Sequence, residues 1–205
     1  MNYTLTNLEE NIKTLYLGQG IAKPSEIDMW QFAYKFDIWI EFEEGKSELV
    51  ETQRDLFTIC LDVRNSSQKQ WQDFAHEFGH VIRHVGKQHE LRKYFRDLQE
   101  FQANNFMYHF CVPTFMLNEF NVSNCLDIES GAKFVASTFN VTEKFAKKRL
   151  ALFRDKLLQV KSDEEHRRYM EARYPKAPPY SQETNDIVKR ALELKAKKER
   201  KIQNA

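Results

Sequence analysis

No run of about eighteen apolar residues occurs in the 205-residue chain, so no helix in it is expected to span a membrane. The opening stretch, MNYTLTNLEENIKTLYL, mixes acids with polar residues and contains no apolar core of signal-peptide length. Net charge is also lacking. The formal value of +1 removes any general electrostatic case for nucleic acid or an acidic membrane surface. Cysteine is scarce and odd in number: Cys60, Cys111 and Cys125 show no CxxC spacing, which excludes a zinc ribbon and a disulfide framework. Internal repeats and a glycine-rich phosphate loop are absent. These absences together leave a soluble protein of a reducing cytoplasm as the expectation.

What is present can build a core. Hydrophobic residues make up 41%, and sixteen are Phe. Apolar spacing in 4–18 predicts a first helix, broken at Gly18-Gln19-Gly20. SEIDMWQFAYKFD predicts a second, with Ser25 as its cap. Ile38–Phe42, Ser47–Thr52 and Leu56–Val63 read as strands, with Gly45-Lys46 supplying a turn. A helix from about Lys69 to His84 follows, with Gly86 as its C-terminal cap. Lys87–Asp97 reads as loop or frayed helix, and Leu98–Cys111 as a helix stopped by Pro113. The fold class is therefore α+β, a small three-stranded antiparallel sheet with helices packed on it.

The helix Lys69–His84 carries His76-Glu77-Phe78-Gly79-His80, an HExxH motif. Helical spacing puts His76 and His80 on one face, where both imidazoles can bind one zinc ion. Glu77 beside them can take a proton from the attacking water. The motif fixes only three residue types, and a plain amphipathic helix with two ordinary histidines would read the same way. A third ligand is needed. The pattern HExxHxxGxxH is excluded, because Arg83 and Gly86 stand at its glycine and third-histidine positions. Glu100, at the start of the next helix, fits if that helix runs back beside the first. Ala103 would let the two helices approach. Asn104 could hold a ligand histidine by a hydrogen bond. His84, a further four residues on, lies too far along the helix to join one tetrahedral ion, so it is assigned an orienting or packing role. His109 should face away from the metal, and His89 and His166 should be solvated. Two histidines and one carboxylate favour zinc, although manganese or iron suits such a set.

Residues 128–155 read as two helices around Asn140-Val141, with Thr142 as cap, a unit that resembles a helix-turn-helix. Its second helix carries Lys144, Lys147, Lys148 and Arg149. Such a unit also serves as packing, so DNA remains a minor expectation. Beyond Gln159 the chain becomes charged, passes a proline-rich break at Tyr174–Tyr180, and ends in a lysine-rich helical segment.

Three blocks, FAHEFGHVIRH, EFQANNFMYHFCVP and FVASTFNVTEKFAKKRL, together resemble the ImmA/IrrE family of zinc metallo-endopeptidases. The resemblance covers roughly residues 27–153. It implies His76, His80 and Glu100 as zinc ligands and Glu77 as catalytic base. Met107-Tyr108 and Phe110-Cys111 depart from the family's usual small residues and Leu-Leu pair. The chain is read as a zincin-like metallopeptidase domain over 1–115, a helix-turn-helix-like helical subdomain over 116–160 and a charged helical tail with a proline-rich linker over 161–205, the last having no counterpart in the resemblance. The resemblance also implies site-specific cleavage of a helix-turn-helix repressor, as in phages and mobile elements. The alternative is a regulatory protein that binds a repressor or DNA without cleaving. Tyr108, His109 and Arg83 are candidates to stabilise the oxyanion, and Phe57–Val63 is a candidate edge for an extended substrate.

Overall fold

The computed structural model describes residues 3–52, 56–84, 92–119, 128–174 and 179–203. The expectations at Gly86, His89, Cys125 and most of the proline-rich break lie outside these. The chain forms two compact units, Met1–Val160 and Lys161–Ala205.

The first unit opens with α1 (Asn7–Leu17), closed at its start by a reciprocal Thr6/Glu9 capping box. Helix α2 (Met29–Lys35) begins later than expected, because the Asp28 carboxylate accepts from the Trp30 N–H at 3.0 Å and caps it. Ser25 instead falls in the short 3-10 turn Pro24–Glu26, which Glu26 ties down by accepting from the backbone of Ala22 and Lys23.

Strands β1 (Ile38–Glu43), β2 (Glu48–Thr52) and β3 (Leu56–Asp62) follow at the expected places. Their arrangement differs from the expected antiparallel sheet. The order is β1-β3-β2, with β2 antiparallel and β1 parallel to β3. The mixed sheet has a physical reason. β3 is the most apolar strand and buries Ile59, Cys60 and Leu61, so it takes the centre. Glu41, Glu43, Glu48 and Glu51 keep to the two edges, where charge stays solvated.

Helix α3 (Ser67–Arg83) is capped by Ser66, whose hydroxyl accepts from the Lys69 N–H. Trp71, Phe74, Ala75 and Phe78 form its buried stripe. Helix α4 (Lys93–Cys111) starts five residues earlier than read, so Lys93–Asp97 are helical. Phe78 and Phe106 both pack on Phe110, and Phe32 meets Phe110 edge-on at 4.8 Å. Each such buried ring contributes about 1.5–3 kcal/mol.

After α5 (Thr114–Glu119) come α6 (Ile128–Thr138) and α7 (Glu143–Arg173). Asn140 turns the chain with φ 50°, and the Thr142 hydroxyl caps α7 by accepting from the Phe145 N–H. The core continues through this region: Val135, Phe139, Phe145, Leu150 and Phe153 belong to the same cluster as Phe78 and Phe110. Arg149 is fully buried. Its guanidinium donates to the Val112 carbonyl and the Thr114 hydroxyl, and Thr114 in turn donates to Glu9 at 2.6 Å. The core thus runs unbroken across residue 115.

In the second unit the last turns of α7 are charged but helical, with Arg167–Glu171 and Lys161–Glu165 at i,i+4 spacing. Helix α8 spans Gln182–Gln203. Among the described residues no helix is long and apolar enough to cross a membrane.

Candidate metal centre

Helices α3 and α4 cross closely because both present almost no side chain at the crossing. A Cβ added to Gly79 would lie 3.5 Å from the Ala103 Cα and 2.9 Å from the Phe106 ring. Phe106 is itself buried and has little room to yield. This approach brings the first half of α4 against the open face of α3, opposite the Phe74/Phe78 stripe.

Three side chains converge there. The Nε2 atoms of His76 and His80 lie 3.2 Å apart. Glu100 places Oε2 3.3 Å from His76 Nε2 and Oε1 3.5 Å from His80 Nε2. Four donors held tetrahedrally at about 2.05 Å from one ion stand about 3.3 Å from each other. The two imidazoles and the carboxylate therefore fit one metal ion, and among the described residues they form the group that could hold one. Glu100 is about half exposed, which leaves this side of the centre open to a cleft.

The electrostatics agree with that use. Burial depresses the pKa of His76, partly offset by Glu100. Burial, with His76 and His84 alongside, pulls His80 down to about 4. Both rings are thus neutral near pH 7 and can offer lone pairs. Glu77 goes the other way. Burial, followed by the charge of Glu100, pushes its carboxyl up to about 7, against Lys46 and a hydrogen bond from the Leu49 N–H. A carboxyl tuned to that range can both take and return a proton.

The cleft measures about 530 Å³. Lys46, Ser47, Glu48 and Leu49 line one wall, and Asp73, His76, Glu77, His80 and Glu100 line the other. The strand on the cleft is β2, an edge strand, whereas the expected β3 is central. Asp73, one turn before Glu77, fastens the walls together. Its carboxylate accepts from Ser47 Oγ at 3.0 Å, from Asn65 and from Lys69, while Ser47 Oγ accepts from the Asp62 N–H. Sequence reading missed Asp73, although it shares the face of His76 and His80 at helical spacing. Ser47 and the Leu49 N–H carry no local signal, since their roles depend on strand order.

Asn104 lines the cleft, but its amide donates to the Glu100 carbonyl at 2.7 Å. The expected bond to a ligand histidine is replaced by one inside its own helix, because Glu100 O is within reach one turn back. His84 is the residue against a candidate ligand: its Nδ1 is 3.1 Å from His80 Nδ1. The three oxyanion candidates lie elsewhere. Tyr108 packs on Phe145, His109 faces Glu9, and Arg83 lines a separate apolar pocket near α1. The basic face read on α7 is largely engaged: Arg149 is buried, Lys147 pairs with Glu129, and Lys148 lies over the Tyr108 ring.

The family model described as the IrrE N-terminal-like domain, Peptidase_M78, matches residues 33–151. The chain belongs to this peptidase family, the one whose motifs it resembles. Its relatives include the phage-like element PBSX protein XkdA of Bacillus subtilis (strain 168), 44% identical over 149 residues, which cover 73% of this chain and 74% of that protein. The uncharacterized protein YqaB of the same organism is 39% identical over 160 residues, covering 78% of this chain and 91% of YqaB.

Proposed function

We propose that the protein is a zinc metallo-endopeptidase that cleaves a helix-turn-helix transcriptional repressor and so relieves repression. The observation that carries the reading is the convergence of His76, His80 and Glu100 at mutual distances suited to one tetrahedral ion, with Glu77 on the same cleft wall. His76, His80 and Glu100 would hold the zinc ion, which when bound would supply an acidified water and polarisation of the scissile carbonyl. Glu77 accepts the water's proton and delivers it to the leaving amine. The open edge of β2 gives an extended peptide a strand to pair with, beside Glu77. The likeness to a protein of a phage-like element favours a regulatory substrate over a digestive one.

The test is co-expression with a candidate helix-turn-helix repressor, followed by mass spectrometry. Defined fragments with the wild type and none with Glu77→Gln are expected. An intact repressor that nonetheless loses its DNA under both proteins would favour the non-cleaving alternative.

A further inference from the structure

We infer that His84 and Gln102 form a positioning relay that decides which nitrogen of His80 is free to bind a metal. The inference rests on the reading of His76, His80 and Glu100 as a metal centre. Gln102 Oε1 lies 3.0 Å from His84 Nε2, and His84 Nδ1 lies 3.1 Å from His80 Nδ1. The far nitrogen of the same ring, His80 Nε2, is the one facing His76 and Glu100.

Proton counting then fixes every link. A neutral imidazole carries one N–H and one lone pair. For Nε2 of His80 to offer its lone pair, the proton must sit on Nδ1. The acceptor facing that N–H is His84 Nδ1, which therefore has no proton. The proton of His84 is then on Nε2, and it points at the amide oxygen of Gln102, which can only accept. Turning the Gln102 amide by half a revolution would reverse the chain. His84 would donate from Nδ1, and the His80 proton would move to Nε2, into the place a metal needs. Gln102 stands two residues after Glu100 on α4, so one helix delivers both a candidate ligand and the end of the relay. His84 caps the C-terminal end of α3, where the helix no longer dictates its backbone.

The experiment uses the full-length protein. Zinc affinity is measured by competition with a chromophoric chelator for the wild type, His84→Leu, His84→Asn, Gln102→Met and Gln102→Glu. Long-range 1H–15N spectra of the metal-free wild type report the tautomers. The relay predicts the Nδ1–H form for His80 and the Nε2–H form for His84. It predicts zinc affinity about 10–100-fold weaker in His84→Leu and Gln102→Met, the usual effect of losing such a partner. His84→Asn, whose amide oxygen can accept the same proton, and Gln102→Glu should stay near wild type. If His84→Leu does not fold, the Gln102 pair and the spectra carry the test. Wild-type affinity in Gln102→Met, or an Nε2–H form of His80, overturns the relay alone. A wild type that takes up no zinc overturns the metal centre and the relay with it.

Discussion

Burial first, and then the charge of Glu100, raises the proton affinity of Glu77, while Lys46 and the Leu49 amide lower it. The place of Glu77 in the cleft gives it no share in gathering the ion, which His76, His80 and Glu100 can do without it. Glu77→Gln should therefore keep zinc uptake close to wild type while cleavage falls about 10²–10⁴-fold, the usual worth of a general base. Glu100→Ala should behave oppositely, with the bound-zinc ratio itself falling in elemental analysis. Equal zinc content in wild type and Glu100→Ala would remove Glu100 from the centre. At this scale much was legible in the sequence. His76, Glu77 and His80 lie within a single helix, where spacing alone sets the face, whereas Glu100 is named by the need for a third ligand on a helix running back and by the family's motif. For Asn104, periodicity gives the direction toward the cleft but not that its amide N–H will donate to the Glu100 carbonyl one turn back. Ser47 and the Leu49 N–H act from a strand whose place in the sheet no local pattern records, whereas Asp73 shares the helical face of His76 and His80.

Among the elements, the α3–α4 crossing is the one on which the centre depends. Gly79 lies inside a motif whose glycine position invites an explanation by flexibility, yet its backbone is ordinary helix. What the position requires is the absence of a Cβ. Gly79→Ala sets two effects against each other. Helix propensity favours alanine by about 1 kcal/mol. Overpacking against the buried Phe106 ring costs about 1–3 kcal/mol, and shifting α4 outward would also carry Glu100 away from the two imidazoles. The loss should win. A lower urea midpoint together with weaker zinc binding is expected, and a midpoint at or above wild type would contradict the close-packed crossing. The strands themselves were readable from β-branched and aromatic runs. Their order was not, because the turn at Gly45-Lys46 suggested a β1–β2 hairpin while burial placed β3 between them. The tail is read as helical, but that α7 continues unbroken past Val160 has no apolar stripe to signal it, since its support comes from surface charge pairs.

On the scale of the whole first unit, a buried polar chain links its first helix to its last. Glu9 on α1 accepts from Tyr3, Thr114 and the Thr6 backbone, and Thr114 receives Arg149 from α7. The α6–α7 segment therefore packs into the same core as the helices before it, with Arg149 buried. Burial alone would raise the Glu9 pKa, but His109 at 3.4 Å together with hydrogen bonds from Thr114, Thr6 and Tyr3 outweighs it and holds the carboxyl well below its ordinary 4.5. A carboxylate with a depressed folded pKa stabilises fully above its unfolded value and loses that contribution as pH falls beneath it. His109, whose pKa burial lowers from 6.5, acts in the same direction one step earlier, because the folded state resists its protonation. These two groups should thus withdraw stability below about pH 6.5 and more steeply below about 4.5, over a range in which Glu77, raised to about 7, acts with the opposite sign and His80, lowered to about 4, with the same sign. Glu9→Gln removes the carboxylate and leaves the buried Arg149 cation without its nearest negative charge, which should cost about 3 kcal/mol at pH 7. The same change should flatten the steeper, lower segment of the curve while the upper one persists and deepens, because Glu9 partly offsets the depression of His109. Urea midpoints of both proteins from pH 3 to 8 decide the matter: parallel curves would mean that Glu9 titrates alike in folded and unfolded chains, and that the link between α1 and α7 is packing alone.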